Sequence, residues 1–172
     1  MEDELILLQP TKEHETQVME YRQEHIDFGE NHINGSWGLI HYSNYDEWLE
    51  KVTSANNMGV PSTTFITLRK SDNKLIGTIQ LRHELNDYLA NYGGHIGYGI
   101  RPSERGKGYG TQQLSLVLDK ARELNIPRVM ISCDKENPAS SKVMIKNGAV
   151  FEREHYNEEH SEMIQIYWID LC

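Results

Sequence analysis

The feature that most constrains the fold is a strand, a glycine-rich turn, a helix and a second strand in the middle of the chain. The strand-like run covers residues 95–100, the turn 105–110, the amphipathic helix about 108–125 and the second strand 128–134. Because two strands joined by a helix at this spacing form a right-handed parallel crossover, the sequence predicts an α/β protein.

The turn Arg105-Gly106-Lys107-Gly108-Tyr109-Gly110 is predicted to bind phosphate groups. The first N–H groups of a helix lack partners within the helix, the helix dipole favours anions, and glycine lets a ligand approach the main chain. The glycine spacing G-x-G-x-G excludes the dinucleotide fingerprint G-x-G-x-x-G, and a glycine after Lys107 excludes a P-loop. The alternative is a glycine-rich helix start that binds no ligand.

The remaining segments are predicted to add strands and helices to the same domain. Apolar runs predict strands at 5–8, 63–68, 75–81, 150–155 and 163–169, and capping residues with apolar stripes predict helices at about 11–26, 44–52 and 138–147. Residues 28–41, rich in glycine and asparagine, are typical of a loop. Because neither an internal repeat nor a linker interrupts the chain, residues 1–172 are predicted to form one domain.

The net charge of −9 is distributed unevenly. Residues 1–60 carry 12 acidic and 3 basic side chains, whereas residues 101–146, which include the turn, carry 5 acidic and 9 basic ones. An anionic ligand at the turn and a cationic partner near the acidic segments would suit this asymmetry, but solvated helix faces would suit it equally well. The chain lacks a basic stripe interleaved with aromatic side chains, so a nucleic-acid partner is not expected.

A cytoplasmic protein with no membrane span and no metal site is expected. The sequence has no run of roughly eighteen apolar residues, and its start, residues 1–4, is acidic where a signal peptide would be basic. Cys133 and Cys172 form neither a disulfide framework nor a zinc pattern. The histidines and glutamates of residues 155–160 lie in a predicted hairpin turn, which favours a solvated loop over a metal site.

Three motifs, in this order, resemble those of the GNAT N-acetyltransferase superfamily. The turn is similar to the superfamily's acetyl-CoA signature Arg-x-x-Gly-x-Gly. In the strand before it, alternation places His95, Gly97 and Gly99 on one face, where the two glycines leave a strip without side chains. Asn137-Pro138-Ala139-Ser140 resembles the superfamily's Asn-x-x-Ser and precedes a short helix. The resemblance covers roughly residues 60–155, and the first 60 residues only by the order of elements.

The resemblance implies a single-domain GNAT-like fold, with a mixed, mostly antiparallel sheet of six to seven strands flanked by about four helices. A central parallel pair of strands would be splayed to hold CoA, with acetyl-CoA as the acyl donor. The implied cofactor-binding residues are Tyr98, Gly99, Ile100, Arg101, Arg105, Gly106, Lys107, Gly108, Tyr109, Gly110, Thr111, Asn137 and Ser140. Without a ligand, the glycines of the strand would mark a bulge, and Asn137 would be a helix cap.

The chain departs from the superfamily pattern at the group that protonates the leaving thiolate. Many members carry a tyrosine four residues after the serine, where this chain has Met144, and Ala149 stands where an aromatic side chain is common. Water, Ser140 or Ser141 would then serve as the acid. Because a thiol with a pKa near 8.5 leaves readily at neutral pH, the missing tyrosine need not abolish turnover.

The predicted catalytic residues are His95 and Glu84, which would take a proton from the attacking amine directly or through water. Either residue could instead be structural, as a hydrogen-bonded strand histidine or a solvated strand end. The acceptor is expected between residues 28–41 and the C-terminal hairpin. The predicted substrate-binding residues are Glu30, His32, Trp37 and Tyr42.

The sequence therefore predicts an N-acetyltransferase that transfers an acetyl group from acetyl-CoA to a primary amine by direct attack in a ternary complex. The acidic N-terminal portion favours a cationic acceptor, either a small molecule or a protein amine, and the chain could form a homodimer. The alternative is a non-catalytic acyl-CoA-binding sensor or interaction module, which Met144 and the lack of an obvious base favour.

Overall fold

The computed structural model describes residues 3–54, 56–57 and 59–171. Met1, Glu2 and Cys172, on which some of the expectations above depend, lie outside the described residues. Within the described ranges the chain forms eight strands and four α-helices. Their order confirms the predicted α/β architecture.

The elements have the following bounds. The strands are β1 (Leu5–Leu8), β2 (Asn56–Asn57), β3 (Val60–Arg69), β4 (Lys74–Arg82), β5 (Ile96–Ile100), β6 (Arg128–Asp134), β7 (Val150–Asn157) and β8 (Glu162–Asp170). The helices are α1 (Glu15–Asp27), α2 (Tyr45–Thr53), α3 (Tyr109–Glu123) and α4 (Pro138–Lys146). A π-helical turn, Leu89–Gly93, lies in a stretch where the sequence predicted no element.

The strands form one mixed sheet in the order β1-β3-β4-β5-β6-β8-β7, and β2 pairs with β3. Neighbouring strands are antiparallel except β5 and β6, which are joined by the α3 crossover and run parallel. A mostly antiparallel sheet with one central parallel pair confirms the predicted fold class.

Helices cover both faces of this sheet. The apolar stripe of α3 (Leu114, Val117, Leu118 and Ala121) is buried against residues of β4, β5, β6 and β8. On the opposite face, Tyr21 of α1 and Trp48 of α2 are buried in a second apolar cluster. Burial of each large apolar side chain contributes roughly 1.5–3 kcal/mol to folding, so both layers are firmly attached. Among the described helices, none combines the length and apolar character needed to cross a membrane.

Local signals fix where the helices begin and end. Thr11 Oγ1 accepts a hydrogen bond from Glu13 N–H before α1, and Asn44 Oδ1 accepts one from Glu47 N–H (3.2 Å) at the start of α2. Gly148, with φ of 89°, follows the end of α4 in the left-handed conformation that favours glycine. These caps lie at the positions predicted from the sequence.

Candidate functional site

The parallel strands β5 and β6 separate almost as soon as they meet. Within the described chain their only register pair is Ile96 with Ile131, and β5 continues to Ile100 along β4. Arg101 N–H donates to the carbonyl of Ile76 on β4 (2.7 Å), so alternation turns the main-chain groups of Tyr98 toward the gap. Such a gap, lined by main-chain N–H and C=O groups, suits an extended ligand with amide groups.

The glycine-rich turn follows β5 and leads into α3 through two left-handed glycines. Gly106 has φ of 76°, and Gly108, the N-cap of α3, has φ of 87°. A residue with a Cβ adopts these conformations only at a steric cost in free energy, and this cost explains why glycine occupies both positions. As far as the described residues show, no side chain caps this end of α3, so its first N–H groups are available to an anion.

The basic side chains of the turn are held by carboxylates. Arg105 forms a bidentate ion pair with Glu30 (Nη1–Oε2 2.8 Å, Nη2–Oε1 3.0 Å), and Lys107 Nζ lies 3.1 Å from Glu104 Oε2. Glu30, a predicted substrate-binding residue, is thus paired with Arg105, a predicted cofactor-binding residue. Because both cations are engaged with carboxylates, the main-chain N–H groups are the donors of the turn that are more available to an anion.

Glu104 fixes the position of the turn. Its side chain is 5% exposed, and it accepts hydrogen bonds from Arg69 Nη1 (2.9 Å) and Lys74 Nζ (3.2 Å) as well as from Lys107. Burial alone would raise the pKa of Glu104, but the hydrogen bonds from Lys107 and Lys74 and the charge of Arg69 hold it below its ordinary value. The carboxylate therefore stays ionised and ties the turn to β3 and β4.

Tyr98 bridges the gap to α4. Its Oη lies 2.6 Å from Ser140 Oγ and donates to the carbonyl of Ser140 (3.1 Å). Asn137 caps α4, because its Oδ1 accepts the N–H of Ser140 (3.3 Å). Met144, one helical turn after Ser140, is fully buried in the core. The structure thus brings together Tyr98 and Ser140, two of the predicted cofactor-binding residues.

The model of the acetyltransferase (GNAT) domain family matches residues 4–150 of this chain. The chain belongs to the GNAT acetyltransferase family. As a GNAT protein it is an acetyl-CoA-dependent N-acetyltransferase. A sequence search among curated proteins gave no match.

Solved acetyltransferase structures share the fold of this GNAT protein at low sequence identity. The ribosomal-protein-S5-alanine acetyltransferase from Vibrio fischeri is 18% identical, with 99% of this chain and 95% of that one covered and a TM-score of 0.76. The microcin C7 self-immunity acetyltransferase, solved with acetyl-CoA and AMP, is 19% identical, with 98% and 93% covered and a TM-score of 0.72. A chimeric spermidine N-acetyltransferase from Vibrio cholerae is 17% identical, with 97% and 96% covered and a TM-score of 0.68.

His95 of this GNAT domain is a buried, neutral histidine. Its Nδ1 accepts the N–H of Met130 (2.9 Å), and burial together with the charge of Arg82 lowers the pKa of His95 to about 4. The neutral ring therefore carries its proton on Nε2 and acts there as a donor. Glu84 is exposed in the bend after β4. The two predicted catalytic residues differ in environment, and their roles stay predictions.

The predicted substrate-binding residues do not form one cluster. His32 is exposed, whereas Trp37 and Tyr42 pack against the apolar cluster of α1 and α2. Tyr42 also lines a surface cleft of about 450 Å³. Glu30, as described above, pairs with Arg105. Their roles toward the acceptor stay predictions.

The expectation that the protein binds no metal also stays a prediction. In the described part of the chain, no group of three or more His, Cys, Asp or Glu is placed to hold a metal ion.

The glycine strip of β5 (Gly97 and Gly99) receives the loop between α1 and α2. A Cβ at Gly99 would lie 2.8 Å from the carbonyl oxygen of Asn34, and a Cβ at Gly35 would lie 2.6 Å from that of Gly97. Main chain therefore packs on main chain here, which gives the glycine at Gly99 a structural cause. The sequence predicted a close approach to the backbone or a bulge as the cause of this strip, and at Gly99 the structure shows the close approach. The role of Gly99 in cofactor binding stays a prediction.

The sequence analysis missed the polar face that continues from the strip onto β4 and β3. The buried residues Ser62, Thr64, Gln80, Arg82 and His95, called here the Arg82 cluster, lie at or next to paired positions on β3, β4 and the start of β5. The signal was the alternation of Thr78, Gln80 and Arg82 with Ile79 and Leu81 in a strand at the centre of the sheet.

Proposed function

We propose that the protein transfers the acetyl group of acetyl-CoA to a primary amine by direct attack in a ternary complex. The observation that carries the proposal is the gap that opens between β5 and β6 after Ile96 and Ile131. The pyrophosphate would lie on the N–H groups of the turn, and the pantetheine arm on the main chain facing the gap. Spermidine and a ribosomal protein, named for two relatives, support an amine as acceptor.

The reaction is an acyl transfer from sulfur to nitrogen. The amine nitrogen forms a bond with the thioester carbon, the carbon–sulfur bond breaks, the sulfur leaves as thiolate and the nitrogen loses one proton. Holding both substrates in one cleft supplies the proximity that the uncatalysed reaction lacks. The main-chain N–H of Tyr98, which faces the gap, is suited to polarise the thioester carbonyl.

Tyr98 is the group we assign to the leaving thiolate in place of the missing tyrosine on α4. Its hydroxyl reaches α4 at Ser140, one helical turn before Met144. Burial raises the pKa of Tyr98 to about 12, so the hydroxyl is protonated at neutral pH. Its one proton is donated to the carbonyl of Ser140 and must turn from that carbonyl to the sulfur when the thiolate leaves. Ser140 orients that hydroxyl toward α4.

Replacing Tyr98 with phenylalanine is expected to slow acetyl transfer roughly tenfold to a hundredfold, because the thiolate loses its hydrogen-bond donor. The affinity for acetyl-CoA should change little, since the ring stays. Single-turnover rates measure the chemical step directly. Tyr45→Phe is the matched control, because the hydroxyl of Tyr45 also donates to a main-chain carbonyl, that of Thr11, far from the gap. Equal rates for the two variants would remove Tyr98 from this role.

The base has two candidates with different constraints. Nδ1 of His95 is occupied by Met130 N–H and Nε2 carries the proton, so His95 must exchange this arrangement before it can accept a proton. Glu84 is exposed and would act through water. We therefore retain Glu84 as the first candidate.

Release of CoA thiol across a panel of primary amines tests the proposed function. The panel contains amino acids, their carboxamides, polyamines, an aminoglycoside and short peptides with a free N-terminus. We expect release with at least one class of amine, with the acetylated amine identified by mass spectrometry. Tight acetyl-CoA binding without release above hydrolysis for every amine would favour the alternative, a non-catalytic acyl-CoA-binding module.

Several expectations about partners and place stay predictions. They are a cytoplasmic location, the absence of nucleic-acid and membrane partners, and a homodimer. Light scattering of the purified protein at several concentrations measures the mass of the particle and would test the homodimer directly.

A further inference from the structure

We propose that the acceptor amine carries a carboxylate, as an amino acid does, and that Arg82 binds this carboxylate. The inference rests on the proposed function, because it assigns the second substrate of the same reaction. It differs from the expectation of a purely cationic acceptor, which came from the acidic N-terminal portion.

Arg82 is a buried arginine whose hydrogen bonds go to neutral groups. The side chain donates through Nη1 to the carbonyls of Gly93 (3.1 Å) and Gly94 (3.2 Å), and through Nη2 to Gln80 Oε1 (3.2 Å). The residue is 9% exposed, and across the described ranges it forms no ion pair and its Nε has no partner. Nε and Nη2 form one edge of the planar guanidinium, whose geometry matches the two oxygens of a carboxylate.

A buried guanidinium without a counter-charge is costly. Burial lowers the pKa of Arg82 to about 10, so the group still carries its charge at neutral pH. The same charge acts on its neighbour His95, which is neutral, so the cluster has a net positive charge. A neutral donor could also form the hydrogen bonds to the Gly93 and Gly94 carbonyls, so these bonds do not explain why a charged side chain is buried here. The positive charge of Arg82, which no carboxylate opposes in the described residues, therefore points to an anionic ligand.

The neighbours of Arg82 supply further unpaired polar atoms. Ser62 is opposite Arg82 and Thr64 is opposite Gln80 in the register of β3 and β4. Ser62 Oγ, Thr64 Oγ1 and Gln80 Nε2 are all buried and, in the part of the chain described, none has a hydrogen-bond partner. Because nearly all buried polar groups in native proteins are paired, with protein or with ordered water, this concentration on one face marks a place where a polar ligand can supply the missing partners. Hydroxyl, amide and guanidinium donors together suit carboxylate oxygens.

The cluster borders the gap at Gly97. A Cβ at Gly97 would lie 3.4 Å from Arg82 Nη2 and 3.7 Å from the N atom of Gly35, which are ordinary contact distances. Packing alone therefore does not require glycine here, and Gly97 is only half-buried. A carboxylate bound by Arg82 at this position would lie beside Tyr98, so the reacting amine must be close to the carboxylate in the same molecule. An amino acid meets this condition, and a polyamine does not.

The carboxylates nearest the turn are already engaged, which weakens the case for a purely cationic acceptor. Glu24 accepts hydrogen bonds from the N–H and Oγ of Ser103, each at 3.0 Å, and Glu30 is paired with Arg105. Two of the acidic residues on which the cationic expectation depended thus hold the turn in place.

The decisive experiment compares each amino acid with its own carboxamide, and with spermidine, by CoA release at saturating acetyl-CoA. The carboxamide keeps the amine, shape and size but removes the negative charge. We expect kcat/KM for at least one amino acid to exceed that for its carboxamide roughly a hundredfold, because the amide leaves the buried guanidinium unpaired.

Three variants locate the effect. Arg82→Gln is expected to remove the preference for the carboxylate. Ser62→Ala deletes an unpaired hydroxyl, so it should keep the melting temperature and raise KM for the amino acid, even if Arg82→Gln fails to fold. Arg153→Gln is the matched control. Like Arg82, Arg153 donates to the segment before β5, through Nη2 to the carbonyl of Ala90 (3.2 Å), but it lies on the surface and is paired with Glu152.

The outcomes separate this inference from the proposed function. Turnover of spermidine or carboxamides as fast as of amino acids would overturn the carboxylate assignment and leave the acetyltransferase proposal intact. A carboxylate preference that survives in Arg82→Gln would overturn the role of Arg82. If no amine releases CoA, both proposals fail.

Discussion

Gly35→Ala is expected to lower the free energy of unfolding by roughly 3 kcal/mol. The new Cβ would lie 2.6 Å from the carbonyl oxygen of Gly97. It would also lie 2.8 Å from both the carbonyl oxygen of Thr78 and the Cα of Tyr98. All three atoms belong to the main chain of β4 or β5, so no side chain can rotate away to relieve the overlap. The loop between α1 and α2 must therefore move off the sheet.

Gly29→Ala separates this overlap from backbone strain. Gly29 also has positive φ (93°), but no described atom lies within 4 Å of its Cβ position. We expect a cost of about 1 kcal/mol, from the conformation alone. Chemical denaturation of both variants gives the two free energies. Equal losses would mean that the loop does not pack on β5 as described.

The second large effect is expected on acetyl-CoA binding. Gly108→Val places a β-branched side chain at φ of 87°, in the N-cap of α3, and the main chain must rotate to relieve the strain. Because the same rotation redirects the first N–H groups of α3, the dissociation constant for acetyl-CoA should rise roughly tenfold or more. Titration calorimetry measures this constant.

Gly148→Val is the control, because it introduces the same backbone strain but leaves the start of α3 unchanged. Gly148 has φ of 89°, follows α4, and in the described structure has nothing within 4 Å of its Cβ position. Both variants should lose similar stability, and only Gly108→Val should lose affinity. If Gly108→Val binds acetyl-CoA as the unmodified protein does, the turn is not the pyrophosphate site.

The sequence predicted the features that depend on neighbouring residues. The caps Thr11 and Asn44, the left-handed glycines of the turn and the parallel crossover around α3 all follow from short-range rules of backbone geometry. The motif order likewise led to the correct family. These features need no knowledge of which distant segments meet.

Pairings between distant segments could not be read in the same way. Arg105, a predicted cofactor-binding residue, pairs with Glu30, which lies 75 positions away in sequence and which the sequence did not indicate as its partner. Tyr98 reaches Ser140 across 42 positions. The alternation in β4 was visible, but only the register with β3 shows that Ser62 faces Arg82. Such contacts depend on how the sheet and its two helical layers assemble.

Because β5 and β6 share a single register pair in the described structure, the sheet consists of two half-sheets that meet at one short joint. His95 forms that joint with Met130, donating its main-chain N–H (2.8 Å) and accepting through its ring. Further contacts between the halves come from α3, whose apolar stripe is buried against strands of both, and from the Tyr98 hydroxyl on Ser140 of α4. Ser132 of β6 also donates to the carbonyl of Tyr92, in the segment before β5. The width of the gap is thus set by side-chain contacts and a helix rather than by a ladder of strand hydrogen bonds. A change at His95 is therefore expected to alter the frame of the site, whether or not His95 takes part in the reaction.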